Sequence, residues 1–287
     1  MTAAAAIDAG PLAIICGGGT FPQTVAEAVT RHGRRVVLFA LRGFADPHVV
    51  ERFPHHWMKV GQVGWFLKTA RGEGVRDVVM IGSLVRPAIS QLALDWKTLT
   101  VLPRVVRAYY GGDDHLLSGV AGIFEHYGFR LLGAHEVAPE ILVPEGALGA
   151  HAPGEADRAD IARGLELLHA MGPFDVGQAA VISNNHVLAL EAAEGTDEML
   201  RRVAELRRNG RIRARQGGVL VKAPKPGQDR RFDLPSIGPR TIEGAAAAGL
   251  GGIAAIAGGT IVAEPQVLIR AADKAGLFVA GVRDGAA

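Results

Sequence analysis

Residues 219–235 gather the side chains best able to do chemistry. Lys222, Lys225, Arg230 and Arg231 supply positive charge, and Asp229 and Asp233 supply carboxylates. Cations at that density suit an anionic substrate, and a carboxylate held among them suits proton transfer or metal binding. Pro224, Pro226 and Pro235 fix their own φ and restrict the residues before them, so the loop is stiff although irregular. Val219-Leu220-Val221 leads into it as an apolar strand ending at Lys222. A solvated, charged turn between a strand and a helix accounts for the same composition.

A second candidate lies near the start. The apolar run 12–16 reads as a strand buried on both faces, and Gly17-Gly18-Gly19-Thr20 follows it, ahead of a helical pattern reaching about His32. Glycines there let backbone N–H groups approach a phosphate at a helix N-terminus. The dinucleotide fingerprint is incomplete. Pro22 stands where a third glycine belongs, and the next strand ends Phe39-Ala40-Leu41-Arg42 with no acid, which disfavours a nicotinamide oxidoreductase. A third buried strand, 77–81, ends in Gly82-Ser83-Leu84-Val85-Arg86-Pro87. Ligands of open sheets bind at the carboxyl ends of strands, so Gly82, Ser83 and Arg86 are candidates.

The elements that must position these residues alternate between strands and helices. Helices are expected over 65–71, 95–110 and 113–127, with Asp113 or Asp114 as an N-cap. A short strand over 129–132 closes on Gly133-Ala134-His135-Glu136. An acid/base pair at His135 and Glu136 is disfavoured, since neighbours on a strand face opposite ways. His55-His56 is expected at the surface. In the second half a helix spans 159–171, and strands 179–182 and 187–192 flank a hairpin turn at Ser183-Asn184-Asn185-His186. Thr196 is the expected N-cap of a helix over 197–208, whose first turn offers N–H groups to an anion. Residues 236–250 read as a helix, and a last helix and strand close the chain. The fold class is α/β: a Rossmann-like open parallel sheet over 1–144, a Pro/Gly/Ala-rich linker over 145–156, and a distinct α/β domain over 157–287.

Composition bounds the function. With 48% apolar and 21% charged residues the chain is globular. A net charge of +2 and 6% aromatics leave little for nucleic acid, which is not an expected partner. Cys16 stands alone, so neither an internal disulfide nor a cysteine zinc site can form. No secretory signal is expected, since no Lys or Arg precedes Arg31 and Asp8 interrupts the apolar run. Residues 244–263 are uncharged but dominated by alanine and glycine, and read as a helix, a turn and short strands, not a membrane span. Arg201, Arg202, Arg207, Arg208, Arg211, Arg213 and Arg215 would attract an anionic membrane surface; a solvated helix face is the commoner explanation of such a cluster.

The segment Lys222-Ala223-Pro224-Lys225-Pro226, continuing through Gln228, Arg231 and Asp233-Leu234-Pro235 to Gly238, resembles the LpxI-type UDP-2,3-diacylglucosamine pyrophosphatases of lipid A synthesis. The likeness continues, in order, at Gly17-Gly18-Gly19, Phe44-Ala45-Asp46-Pro47, Arg86-Pro87, Gly112-Asp113-Asp114, Gly133-Ala134-His135-Glu136-Val137, Val176-Gly177-Gln178, Glu194-Gly195-Thr196-Asp197 and Gly276-Leu277-Phe278-Val279. It implies hydrolysis of UDP-2,3-diacylglucosamine to UMP and 2,3-diacylglucosamine 1-phosphate. Water would attack the sugar-side phosphorus, with a divalent cation (Mg2+ or Mn2+) assisting. The essential aspartate of the family falls on Asp233, which either positions the water or binds the cation; Lys222 would offset phosphate charge. Gly17 to Gly19, Ser83, Asp113, Gln178, Thr196, Asp197 and Lys222 are expected to line the substrate cleft. Ser83 is a departure, standing where the family pattern has asparagine. The resemblance also implies a cytoplasmic protein, peripheral on the inner membrane, and leaves monomer and homo-oligomer both open. A non-catalytic nucleotide-sugar binding module would need the glycines and Thr196 but no acid at Asp233.

Overall fold

The computed structural model describes residues 10–84, 93, 95–98, 100, 113–174, 176–212, 217–227, 229–232 and 234–285, the side chains of 113–118 and 120 excepted. The chain forms two compact units. One comprises Met1–Glu140 with Asp229–Asp233, and the other Ile141–Gln228 with Leu234–Ala287. Residues 145–156 fall within the second unit, where Gly146–Ala147 forms a short strand.

The first unit is built on five parallel strands: β1 (Leu12–Cys16), β2 (Val36–Leu41), β3 (His55–Met58), β4 (Asp77–Ile81) and β5 (Arg130–Leu132). Their order is β3-β2-β1-β4-β5. Leu12 is in register with both Val36 and Asp77, so β1 is central and the strand order reverses between β1 and β4. Strands with neighbours on both sides and cover on both faces need unbroken apolar runs, which is what β1 and β2 have. Beneath the sheet, Phe66 of the Val63–Gly72 helix meets Phe39 and Phe124 edge-on, at 4.7 and 5.2 Å between ring centroids. At the amino end of β4 the buried Asp77 accepts hydrogen bonds from Arg34 (2.6 Å) and Arg130 (2.8 Å).

Two sequence expectations are revised here. His55-His56, expected at the surface, is half-buried and opens edge strand β3, with His56 packed 5.4 Å from the Phe39 ring and hydrogen-bonded to Glu73 (2.8 Å). An edge strand needs only one apolar face, so two histidines are tolerated where a central strand would refuse them. His135 and Glu136 are not on a strand either. Ala134–Val137 is one helical turn, and the Glu136 carboxylate accepts from the Gly133 N–H at its start (2.6 Å). Of the helix expected over 95–110, most lies outside the described residues.

The second unit holds a six-stranded mixed sheet in the order β6-β13-β11-β9-β7-β8. Its strands are β6 (Gly146–Ala147), β7 (Ala179–Ser183), β8 (His186–Leu190), β9 (Val219–Lys222), β11 (Gly252–Ile256) and β13 (Phe278–Val282). β9, β11 and β13 are parallel, while β7 runs antiparallel to β8 and β9. Alternate residues serve opposite faces. Val181, Leu220, Ile253 and Val279 pack into one core, and Ile182, Val221, Ala254 and Phe278 into the other. The hairpin turn reads as expected, with Asn184 and Asn185 at φ 50° and 63°. Residues 236–250 are not one helix. Ser236–Ile237 forms strand β10, paired with β12 (Ile261–Val262), before the helix Pro239–Ala247. Gly238 separates the two, extended at φ −155°. No helix among the described residues is long and apolar enough to cross a membrane.

Candidate functional site

The carboxyl edge of the first sheet brings together Gly17, Gly18, Gly19, Gly82 and Ser83. Gly18 and Ser83 exchange backbone hydrogen bonds at 2.8 and 2.9 Å, and Gly17 N–H donates to Ile81 O at 2.9 Å. The two loops approach so closely that side chains are excluded. A Cβ on Gly17 would lie 2.5 Å from the Ser83 carbonyl oxygen, and one on Gly82, at φ 105°, would lie 2.8 Å from the Gly17 carbonyl carbon. Gly17 and Gly82 therefore have a packing cause, independent of any ligand. Beyond them the helix Phe21–Arg31 starts at Thr20 without a side-chain cap, with a proline in its first positions. Its first-turn N–H groups have no partner within the helix and carry the positive end of its dipole, so this edge suits an anion.

In the second unit the sites cluster around Lys222. It ends β9, is 6% exposed, and its Nζ donates to Thr196 Oγ1 and to the Ser236 carbonyl, both at 2.9 Å. Thr196 in turn donates to Glu191 Oε1 (2.9 Å), and Glu191 Oε2 accepts the Gln178 N–H (3.0 Å). Gln178 O takes the N–H of Ala223, the first residue of the proline-rich loop. A buried ammonium must be surrounded by acceptors to stay charged. Here a hydroxyl and a carbonyl touch it directly, and the Glu191 carboxylate stands one hydrogen bond behind.

Thr196 is not the N-cap that the sequence suggests. The helix begins at Gly195, with Glu194 in the capping position, and the Thr196 hydroxyl serves Lys222 and Glu191 instead. Asp197 does not join this network; it pairs with Arg240 at 2.6 Å on an exposed face. Glu191 is a member that sequence reasoning missed. It follows β8, and β8 and β9 point the same way because each is antiparallel to β7. A carboxylate and a lysine closing two like-directed apolar strands was the available signal.

The part of the loop before Asp233 is anchored within the first unit. The Arg231 guanidinium grips Asp229 at 2.7 and 3.0 Å and reaches Glu125 at 2.9 Å, while Phe232 packs against the core beneath the sheet. The hydrogen bond from Arg231 holds the Asp229 carboxyl below the usual carboxylate range, and that bond raises Arg231. Beside them stands His135, whose buried Nδ1 has no hydrogen-bond partner among the described residues. Burial, and then the charge of Arg230, push its pKa below that of an ordinary histidine.

Asp233, Arg86 and Gln228 lie outside the described residues, and so do Arg213 and Arg215. Asp113 opens the helix Asp113–His126, its side chain not among those described. Of the arginine cluster, Arg201 pairs with Glu198, Arg202 with Glu194, and Arg207 donates to the carbonyls of Gly249 and Gly217. Among the described residues no group of three or more His, Cys, Asp or Glu side chains is arranged to hold a metal ion. Burial pushes the Cys16 thiol up to about 12, which removes it as a nucleophile.

Comparison with known proteins covers both units. The family model of the LpxI N-terminal domain matches residues 11–141, and that of the LpxI C-terminal domain matches residues 144–280. A curated relative, the UDP-2,3-diacylglucosamine pyrophosphatase LpxI of Caulobacter vibrioides, is 45% identical over 272 residues, covering 94% of this chain and 97% of that protein. Two adjoining domain matches and an end-to-end relative leave one assignment: the chain belongs to the LpxI family.

Proposed function

We propose that this chain hydrolyses UDP-2,3-diacylglucosamine to UMP and 2,3-diacylglucosamine 1-phosphate. The observation that carries the reading is the end-to-end 45% identity to a relative named for that activity. Water attacks the sugar-side phosphorus, its oxygen stays with the sugar phosphate, and the bridging oxygen departs with UMP. Such a displacement needs charge neutralised on the phosphates and a held water. The proposal gives Lys222 the first task and Asp233 the second. The Glu191–Thr196 pair fixes the Lys222 ammonium, and the glycine edge with Ser83 and the Phe21–Arg31 helix start receives the nucleotide phosphate. Gln178 helps to line the site; Arg86, Asp113 and Asp197 are assigned to substrate contact from the sequence alone.

Magnesium or manganese belongs to the same proposal. Asp229 is taken by Arg231, and Glu191 by Thr196 and Gln178; Asp233, essential by the family resemblance, is the carboxylate assigned to the cation in the alternative in which it does not hold the water. A single hard carboxylate oxygen fits that role, because Mg2+ is commonly held by one or two carboxylates together with substrate phosphates and water. When bound, the ion would neutralise charge on the phosphate oxygens. The two acyl chains of the substrate place the work at the inner-membrane surface.

Two measurements test the reading. Hydrolysis in heavy-oxygen water should put the label in the sugar 1-phosphate; label in UMP overturns the direction of attack. Asp233→Ala should lower kcat by about a thousandfold or more with KM little changed. Turnover at the wild-type rate in that variant defeats the assignment, and a wild-type chain that binds the substrate without turnover would be the binding module instead.

A further inference from the structure

The first unit carries a cationic cleft that no step of this reaction uses. It is lined by Gly64, Leu67, Lys68 and Arg71 of one helix, by Lys97, and by Tyr127, and encloses about 590 Å3. The cleft is a built feature. Asp95 accepts the Trp65 N–H (3.0 Å) and the Thr98 N–H (2.8 Å), and Thr98 Oγ1 accepts the Val63 N–H (3.2 Å), so the segment bearing Lys97 is tied to the start of the helix. Lys97 stands over the Tyr127 ring at 5.8 Å, and Arg71 donates to Tyr127 O at 3.0 Å.

Lys68, Arg71 and Lys97 make no ion pair among the described residues. The neighbouring carboxylates are committed elsewhere: Asp95 to backbone N–H groups, Glu73 to Arg35 and His56, and Glu125 to Arg231. Leu67 and Tyr127 give the cleft an apolar floor. Next to Lys97, Trp96 is 78% exposed, the most exposed of the large hydrophobic side chains described. Cations without an ion pair among the described residues, set around Leu67 and Tyr127, with the exposed Trp96 next to Lys97 in sequence, complement an anionic phosphate headgroup with its hydrocarbon below. Tryptophan favours the membrane–water interface, and cations are drawn to an anionic leaflet.

We infer that this cleft and Trp96 form the face by which the protein docks on an anionic lipid surface. The arginines of the second unit are a weaker candidate, since Arg201 and Arg202 already face Glu198 and Glu194. The inference rests on the lipid substrate proposed above for its purpose, but binding can be read without turnover.

The test is co-sedimentation of the full chain with phosphatidylglycerol-containing vesicles, against vesicles of phosphatidylcholine alone. The wild-type chain should bind the former only, and less as salt rises. Lys68→Gln with Lys97→Gln should weaken binding about tenfold or more, and Trp96→Ala should weaken it at any salt. Arg201→Gln with Arg202→Gln should leave it unchanged. Those three variants should hydrolyse detergent-dispersed substrate like the wild type, and circular dichroism of each checks that it is folded. Equal binding to both vesicle types, wild-type binding by the double lysine variant, or a larger loss in the double arginine variant would each overturn the inference. So would complete release from vesicles by inorganic phosphate at constant ionic strength, which would assign the cleft to a free anion.

Discussion

The carboxyl edges of the two sheets are built by opposite means. In the first unit the edge is backbone on backbone: Gly17 and Gly18 lie against Gly82 and Ser83 so closely that no Cβ fits at Gly17 or Gly82. In the second, the side chains of Glu191, Thr196 and Lys222, with the backbone N–H of Gln178, hold one another. The first can offer only N–H groups and a helix dipole, with little freedom to adjust. The second can place a full positive charge, but its geometry depends on every member being present. A backbone edge should therefore fail by misfolding, and a side-chain network by mispositioning.

Substitution at Gly17 gives the largest effect. Gly17→Ala puts a methyl carbon against main-chain atoms that cannot swing aside, and should cost about 3 kcal/mol. Gly19→Ala meets nothing within 4 Å and suffers only from its φ of 88°, at about 1 kcal/mol. All three tryptophans, Trp57, Trp65 and Trp96, belong to the first unit, so tryptophan emission during urea unfolding follows that unit alone. Equal midpoints for the two variants would show that the loops can part to admit a side chain.

The same contrast explains what the sequence disclosed. The glycine edge was legible because its signal is local, an apolar run, three glycines and then a helix, although its packing partner, Gly82-Ser83, is distant in sequence. The hairpin at Asn184-Asn185 was legible because those residues tolerate positive φ. The Lys222 network was half legible. Lys222 and Thr196 stand in recognisable segments, but Glu191 has no motif around it, and its partners lie 13 residues before and 5 after it. Thr196 was misread because a threonine near a helix start is ordinarily a cap, and here a buried ammonium competes for its oxygen. His55–Met58 was passed over because edge strands need little hydrophobicity. Asp229 and Asp233 were both picked out as carboxylates among cations, but only the resemblance singled out Asp233 as the essential one.

Glu191 provides the middle-sized test. Glu191→Ala strips the Thr196 hydroxyl and the Gln178 N–H of their acceptor and removes the negative charge that stands one hydrogen bond behind the Lys222 ammonium. A loss of about 2 kcal/mol in stability is expected, with kcat down roughly tenfold and KM nearly unchanged. Glu191→Gln retains an acceptor oxygen for Thr196 and should recover most of the stability but less of the rate. If both variants lose stability and neither loses rate, the network is scaffolding, and Lys222 is held by Ser236 O and its remaining contacts.

The smallest effect lies at the opposite end of the first sheet, where the unit does rely on charged side chains. Asp77 is 2% exposed. Burial acts to raise its carboxyl, but the hydrogen bonds from Arg130 and Arg34 outweigh that, and the net displacement is downward. A carboxyl depressed in the folded state binds its proton less readily than in the unfolded chain, whose value is about 3.9. Its stabilisation is therefore complete above that pH and drains away as the pH falls through it toward the folded value. Urea midpoints read by tryptophan emission should thus decline for the wild type below about pH 4. Asp77→Asn should start lower at neutral pH and decline less, because it has no proton to gain. Parallel curves for the two proteins would place the acid-sensitive groups elsewhere, and would leave the first unit dependent on backbone contacts at both ends of its sheet.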